Sequence, residues 1–484
     1  MLFNSIHFAL FLPIVFLLYW LVFERLIRKS KHQLRLQNAF LVLASYVFYG
    51  FWDWRFLLLI AFTSYFSWYS GLLIGRQVWR DRARWLMWLT VVVHLGLLCL
   101  FKYYDFFVVE FARLFHFEAE DFMLNAVLPV GISFYTFQAM SYSIDVYREQ
   151  LKPTEDLLAY FAYISFFPQL VAGPIERATT LLPQFLNKRK LDYAALVAGL
   201  KLMLWGLFKK VVIADNCAIY VDQVFSTYSN QSGSSLLLAA VFFTFQLYGD
   251  FSGYSDIAIG TAKLFGVKLM RNFNMPYFSR DIAEFWRRWH ISLSTWFRDY
   301  VYIPLGGSWV SPYKTIRNIF IIFLLSGFWH GANWTFIAWG TYHAVLFLPL
   351  VLSGKNHRFK DQVAAGRRLP SGMEVLQMLL TFSLVVLGLV FFRAESIGQA
   401  VGYLIGICNS SLFSLPWMIS ATYFFPMPLL LLLFVLIEWT GRSEECPINW
   451  AGLPGAWRWI GYMILIVLLL AFGAAPETFI YFQF

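Results

Sequence analysis

The chain has 484 residues, 59% of them hydrophobic and 14% charged, with a formal net charge of +10. So much apolar content with so little charge excludes an ordinary soluble domain and places the chain among polytopic membrane proteins. Its basic residues sit in short loops beside apolar runs, where orientation signals lie, so the positive charge does not imply a nucleic-acid partner.

Nearly uncharged stretches that reach, or extend to, roughly 18 residues fall at 5–23, 85–101, 193–208, 236–248, 318–352, 373–392, 424–437 and 459–475. The length accommodates roughly ten to twelve membrane helices, which we read as one membrane-embedded domain over 1–484. The first run has no basic region before it and no small-residue cleavage site, which predicts a retained span rather than a signal peptide. Arg25, Arg28, Lys29, Lys31 and Arg35 follow this run, and Arg76, Arg80, Arg82 and Arg84 follow the third. Both loops are expected on the cytoplasmic side, with the amino terminus outside.

The stretch 166–175 (FFPQLVAGPI) is apolar but broken by two prolines and a glycine, and both of its basic flanks read as cytoplasmic. That combination predicts a re-entrant hairpin, whose freed amides must be enclosed by protein or a wet cavity. At 246–256 (QLYGDFSGYSD) an apolar run ends in Asp250 and Asp256 among small residues and Tyr254. These acids must either pair with basic groups, the arginine-rich segment being one choice, or line something hydrated.

The segment 263–307 is too charged to span and dense in aromatic residues, which predicts an interfacial amphipathic element. Within it Glu284 and Arg288 stand at i and i+4, a spacing that supports a helix, and 304–307 (PLGG) ends it. His290 lies in this segment, beside Arg287 and Arg288. It reads either as a ring bridging headgroup and core or as a second functional histidine, with the two arginines near a phosphate-bearing ligand.

His330 lies about 12 residues into the apolar run 318–352, which at 1.5 Å per residue is roughly 18 Å into a span. An ionisable group at that depth is costly and marks either a functional site or a hydrogen-bonded structural contact between helices. On one continuous helix its face would carry Ser326, Gly327, Asn333 and Trp334, with Gly327 and Gly331 leaving room for close approach. Whether 318–352 forms one long helix or two short ones is open. The stretches 354–372 and 441–455 read as connections outside the membrane.

Cys99, Cys217, Cys408 and Cys446 are scattered, without metal or redox spacing, and are expected in the core. There is no G-x-S-x-G elbow, H-E-x-x-H pair or P-loop, which removes the usual support for serine hydrolases, zincins and nucleotide-driven pumps. No metal site is expected.

The motifs 246–256, 285–293 (FWRRWHISL) and 326–334 (SGFWHGANW), with 166–175, 302–307 (YIPLGG) and 479–484 (FIYFQF), resemble the membrane-bound O-acyltransferase family. The likeness is greatest to its AlgI-type alginate O-acetyltransferases and covers nearly the whole chain. It implies an all-α polytopic fold with re-entrant segments and a central tunnel, in a bacterial inner membrane. It further implies His330 as the catalytic base, supported by His290. Asn333, Trp329, Arg287, Arg288, Asp250 and Tyr254 are the candidate substrate contacts. No bound cofactor is implied. Acetyl-CoA would be the donor substrate, a polysaccharide the acceptor, and an extracytoplasmic SGNH-type acetyltransferase the partner that completes transfer. A buried neutral imidazole suits the base, and Asn333 is a candidate oxyanion donor. The competing readings are DltB-like D-alanyl transfer to teichoic acid from a carrier protein, and a proton-coupled transporter or flippase using His330 and Asp250. The inverted repeats expected of a transporter are not evident.

Overall fold

A computed structural model describes residues 1–27, 30–171, 173–420, 424–473 and 479–480. Arg28 and Lys29 of the first basic loop, Ala172 of the proline-broken stretch and 481–484 of the terminal motif lie outside the described residues. Among the described residues all regular structure is helical. Six helical stretches among the described residues are long and apolar enough to cross a membrane: Ile6–Ile27, Gln33–Gly75, Arg80–Phe115, Gly233–Leu264, Trp334–Leu352 and Gly372–Arg393. Shorter apolar helices occupy Ile397–Ile407, Pro426–Thr440 and Gly455–Ala471. The protein is an integral membrane protein of the all-α polytopic class.

Two compact units are present, Met1–Leu200 with Ile257–Met270, and Lys201–Asp256 with Arg271–Phe484. The first contains α1 (Ile6–Leu17), α2 (Gln33–Asp53), α3 (Leu57–Gly75), α4 (Arg80–Leu98), α5 (Ile132–Tyr147), α6 (Leu157–Ser165) and α7 (Ala178–Phe185). Along α3 the buried residues include Thr63, Ser64, Ser67, Ser70 and Gly71. Small residues let helices approach closely where apolar lipid gives no drive to associate. Thus a Cβ at Gly71 would fall 2.3 Å from the Tyr142 ring of α5, and Tyr160 of α6 donates to the Ser67 hydroxyl at 2.7 Å.

The proline-broken stretch between α6 and α7 is enclosed by protein: Phe166, Phe167, Gln169, Leu170 and Val171 are all buried. One amide freed by the break is satisfied, since Phe167 N–H donates to Ser45 Oγ at 3.0 Å. Irregular backbone inside a membrane protein requires such partners.

The second unit takes part of α8 (Tyr193–Leu207) and α9 (Gly233–Leu264), then α10 (Ile282–Arg288), α11 (Ile291–Phe297), α12 (Pro312–His330), α13 (Trp334–Leu352) and α14 (Gly372–Arg393). The run 318–352 is therefore two helices. Gly331 leaves the helix with extended backbone, and Asn333 caps α13 through its side-chain oxygen, which accepts from Thr335 N–H at 3.0 Å. Two expectations change. His330 is the last residue of α12 rather than a mid-helix residue, and Asn333 and Trp334 do not continue its helical face.

Close contact holds α12 against α13. A Cβ at Gly327 would lie 2.3 Å from the Phe336 carbonyl oxygen, and one at Gly340 would lie 2.3 Å from that of Phe323. Backbone cannot yield there as a flexible side chain would, so only glycine fits both positions.

The aromatic segment 263–307 is also corrected. Phe285, Trp289, Trp296 and Phe297 are buried within the protein, so these rings form core rather than an interfacial face. The helix around Glu284 is present, and the PLGG sequence does end the element, with Gly306 and Gly307 at positive φ. Of the cysteines, Cys217 and Cys446 are buried, whereas Cys99 and Cys408 are exposed and do not pack in the core.

Candidate active site

His330 and His290 meet in the second unit. Their ring centroids are 6.3 Å apart and both side chains are buried, at 2% and 1% exposure. Aromatic rings surround them. Trp329 stands against both histidines, at 5.0 Å from His330 and 5.7 Å from His290. Trp339 and Phe392 face His330 at 5.1 and 5.3 Å, and Phe251 of α9 stands edge-on to His290 at 4.6 Å. Two imidazoles in such a shell sit in a low dielectric, where hydrogen bonds are strengthened.

The loop around His290 is built by short-range geometry. Asp281 caps α10 by accepting from Glu284 N–H at 2.7 Å, and the buried Glu284 carboxylate is gripped by Arg280 at 3.0 Å and Arg288 at 2.8 Å. The helix ends at Trp289 in extended conformation. His290 then adopts left-handed backbone, φ 43°, before α11 begins. A non-glycine residue in that region is strained, and such strain persists where the surroundings over-determine it.

Here the determinant is Asn272. Its main-chain oxygen accepts from Ile291 N–H at 2.8 Å, while its side-chain oxygen accepts from Ser292 N–H at 3.2 Å and from the Ser292 hydroxyl at 2.9 Å. A backbone N–H can only donate, so the Asn272 atom it meets is the oxygen. The same oxygen lies 3.2 Å from His290 Nδ1. Nδ1 must then carry the proton, which leaves Nε2 as the ring's acceptor. Burial pushes the His290 imidazole well below its ordinary value, to about 3, so the ring is neutral at physiological pH.

The remaining predicted residues divide. Trp329 joins the histidines. Arg288 is committed to Glu284 and to the Asn274 carbonyl, and Arg287 donates to the carbonyls of Asn356 at 2.5 Å and Phe359 at 2.7 Å. Both arginines therefore brace the connection and helix around them. Asn333 is engaged as the cap of α13, and its amide nitrogen donates to the Glu395 carbonyl at 3.1 Å.

Asp250 and Tyr254 belong to a separate buried ionic cluster. Lys210 bridges Asp215 at 2.7 Å and Asp250 at 2.8 Å, while Lys209 pairs with Asp256 at 2.7 Å. The acids on α9 thus pair with these lysines rather than with the arginine-rich segment. Glycines make the pairing possible: a Cβ at Gly253 would sit 2.7 Å from the Gly206 carbonyl and one at Gly249 would sit 2.9 Å from that of Lys209. Asp250 also accepts from Ile480 N–H at 2.7 Å, and Phe479 packs on Tyr254 at 4.4 Å, which fixes the start of the terminal FIYFQF motif.

Sequence reading missed Asn272, Trp339, His343 and Phe392. Thr335, Trp339 and His343 are spaced i, i+4 and i+8 on α13, a polar-bearing stripe visible in the sequence but hidden by counting tryptophan as apolar. Among the described residues no cluster of His, Cys, Asp and Glu could hold a metal ion.

Residues 147–368 match the MBOAT, membrane-bound O-acyltransferase family. The chain is 43% identical over 401 residues to the probable alginate O-acetylase AlgI of Pseudomonas aeruginosa, covering 82% of this chain and 72% of that protein. It is 37% identical over 437 residues to the peptidoglycan O-acetyltransferase of Helicobacter pylori, covering 84% and 80%. To the teichoic acid D-alanyltransferase of Bacillus subtilis it is 31% identical over 285 residues, covering 56% and 70%.

Proposed function

Because this chain belongs to the membrane-bound O-acyltransferase family, we propose that it moves an acetyl group from cytoplasmic acetyl-CoA for O-acetylation of an extracytoplasmic polysaccharide such as alginate, with His330 as general base. That it is an O-acyltransferase follows from the family itself. The observation that carries the mechanistic reading is the buried pair of imidazoles 6.3 Å apart, in one unit and within one aromatic shell.

In this reading an acceptor hydroxyl is deprotonated by His330 as its oxygen attacks the thioester carbonyl carbon. The carbonyl electron pair moves to oxygen, then returns as the carbon–sulfur bond breaks, and the proton passes from His330 to the leaving thiolate. His330 ends α12, where the last carbonyls favour positive charge on the ring while it holds the proton. His290 presents its Nε2 acceptor and orients the hydroxyl, its own ring fixed by Asn272. The acetyl group would pass on to an SGNH-type partner outside a bacterial inner membrane, which completes transfer to the polymer.

The likeness to teichoic acid D-alanyltransferases supports a second reading, in which an aminoacyl carrier protein is the donor. Two acetyl-transferring relatives, matched over more of the chain, favour acetyl. Purified protein offered acetyl-CoA and, separately, D-alanyl carrier protein separates them. Thiol release from acetyl-CoA alone supports the first reading; release only from the carrier protein replaces it with the second.

A further inference from the structure

The proposed chemistry needs a hydrogen-bond donor for the oxyanion, and Asn333 is occupied as a helix cap and as donor to the Glu395 carbonyl. A different group stands ready beside His330. Trp286, Trp339 and His343 form a mutual ring trio, with centroids 5.7 Å between the tryptophans and 5.0 Å from each of them to His343. Trp339 also contacts His330 at 5.1 Å. Trp286 Nε1, Trp339 Nε1 and His343 Nδ1 are each buried and have no hydrogen-bond partner among the described residues. The same is true of the Thr335 hydroxyl, one turn before Trp339 on α13.

Buried polar groups without partners are uncommon and costly, so a cluster of them beside reactive groups calls for a ligand. An indole N–H can only donate, which means that its complement is an acceptor, such as a carbonyl or an oxyanion. The trio packs closely against α14: a Cβ on Gly388 would stand 2.8 Å from the Tyr342 ring and 3.3 Å from His343 Nε2.

We infer that Trp339 is a further catalytic residue, whose Nε1–H binds the acyl carbonyl oxygen and stabilises the oxyanion as His330 takes the hydroxyl proton. His343 and Trp286 are positioning residues that hold the indole against His330. The assignment rests on the acyl-transfer reading. In the addition step the new bond joins hydroxyl oxygen to carbonyl carbon, and the displaced electron pair rests on the oxygen facing Trp339. Collapse expels the thiolate, which is reprotonated by His330.

The test is steady-state acetyl-CoA cleavage by the full chain in nanodiscs, comparing the native protein with W339F, which keeps an aromatic ring and removes the N–H. The expected result is a kcat lower by about a hundredfold to a thousandfold with KM little changed. If W339F lowers the melting temperature, 3-benzothienylalanine at 339 removes the N–H while keeping the bicyclic shape, and the same loss of kcat is expected. Native-like kcat in a folded variant overturns the assignment, as does a loss confined to KM. An H330A protein as active as the native one overturns the acyl-transfer reading itself, and this assignment with it; an inactive H330A beside an active W339F overturns the assignment alone.

Discussion

His330 and His290 come within 6.3 Å of each other although 40 positions separate them, one closing α12 and the other sitting in left-handed backbone between α10 and α11. Their juxtaposition depends on two local devices, the Asn272 side chain under His290 and the glycine contacts that set α12 against α13.

Removing the first device is expected to damage both fold and site. Asn272→Ala deprives Ser292 N–H, the Ser292 hydroxyl and His290 Nδ1–H of their common acceptor in a buried setting. Stability should fall by about 2 kcal/mol, the cost of stranding buried donors. Activity should fall further than the loss of folded protein explains. Thermal unfolding in detergent and turnover per folded molecule check this, and a variant native-like in both contradicts it.

The second device admits no side chain. At Gly340 a Cβ would meet the Phe323 carbonyl oxygen at 2.3 Å, so Gly340→Ala must push α12 and α13 apart. A destabilisation of about 1–3 kcal/mol is expected, with a loss of turnover because His330 moves with the end of α12. An unchanged melting temperature with unchanged turnover would show that the contact is not required.

How much of this was legible in the sequence depends on how local its cause is. The Glu284–Arg288 pair could be read from its spacing, and His330 from an ionisable group amid apolar residues. The break after His330 was not readable from Gly331 alone, since glycine also occurs within membrane helices; the stronger signal was Asn333, a good cap one residue before α13. Burial of the 263–307 aromatics was missed because charge density suggested an interface, whereas Arg280 and Arg288 are neutralised on a single buried Glu284. The Lys210–Asp250 pairing joins distant segments, and nothing in the composition of either names the partner.

pH should act on the fold through His290. Burial lowers its pKa from 6.5 to about 3, so above pH 6.5 the ring is neutral in both folded and unfolded chains and makes no pH-dependent contribution. Below that value the unfolded chain binds a proton that the folded chain refuses, and stability falls as pH drops towards 3. The melting temperature of His290→Asn should fall less than that of the native protein over this window; equal slopes would refute the assignment.

Glu176 works in the opposite direction in the first unit. Burial raises its carboxyl from 4.5 to about 7, opposed by hydrogen bonds from Met270 N–H and Thr180. Between pH 4.5 and 7 the unfolded chain releases a proton that the folded chain retains, so stability declines as pH rises through this window. Glu176→Gln keeps an acceptor oxygen without the ionisation, and should raise the melting temperature more at pH 8 than at pH 4. A gain independent of pH would be contrary to this account.

The central claim is that His330 is the base for acyl transfer, and the most direct measurement is single-turnover cleavage of radiolabelled acetyl-CoA by the native chain and by His330→Ala, with equal folding verified by melting temperature. The account predicts acetyl release or transfer by the native chain and its loss, by a hundredfold or more, in the variant. Equal turnover in the two proteins would contradict it.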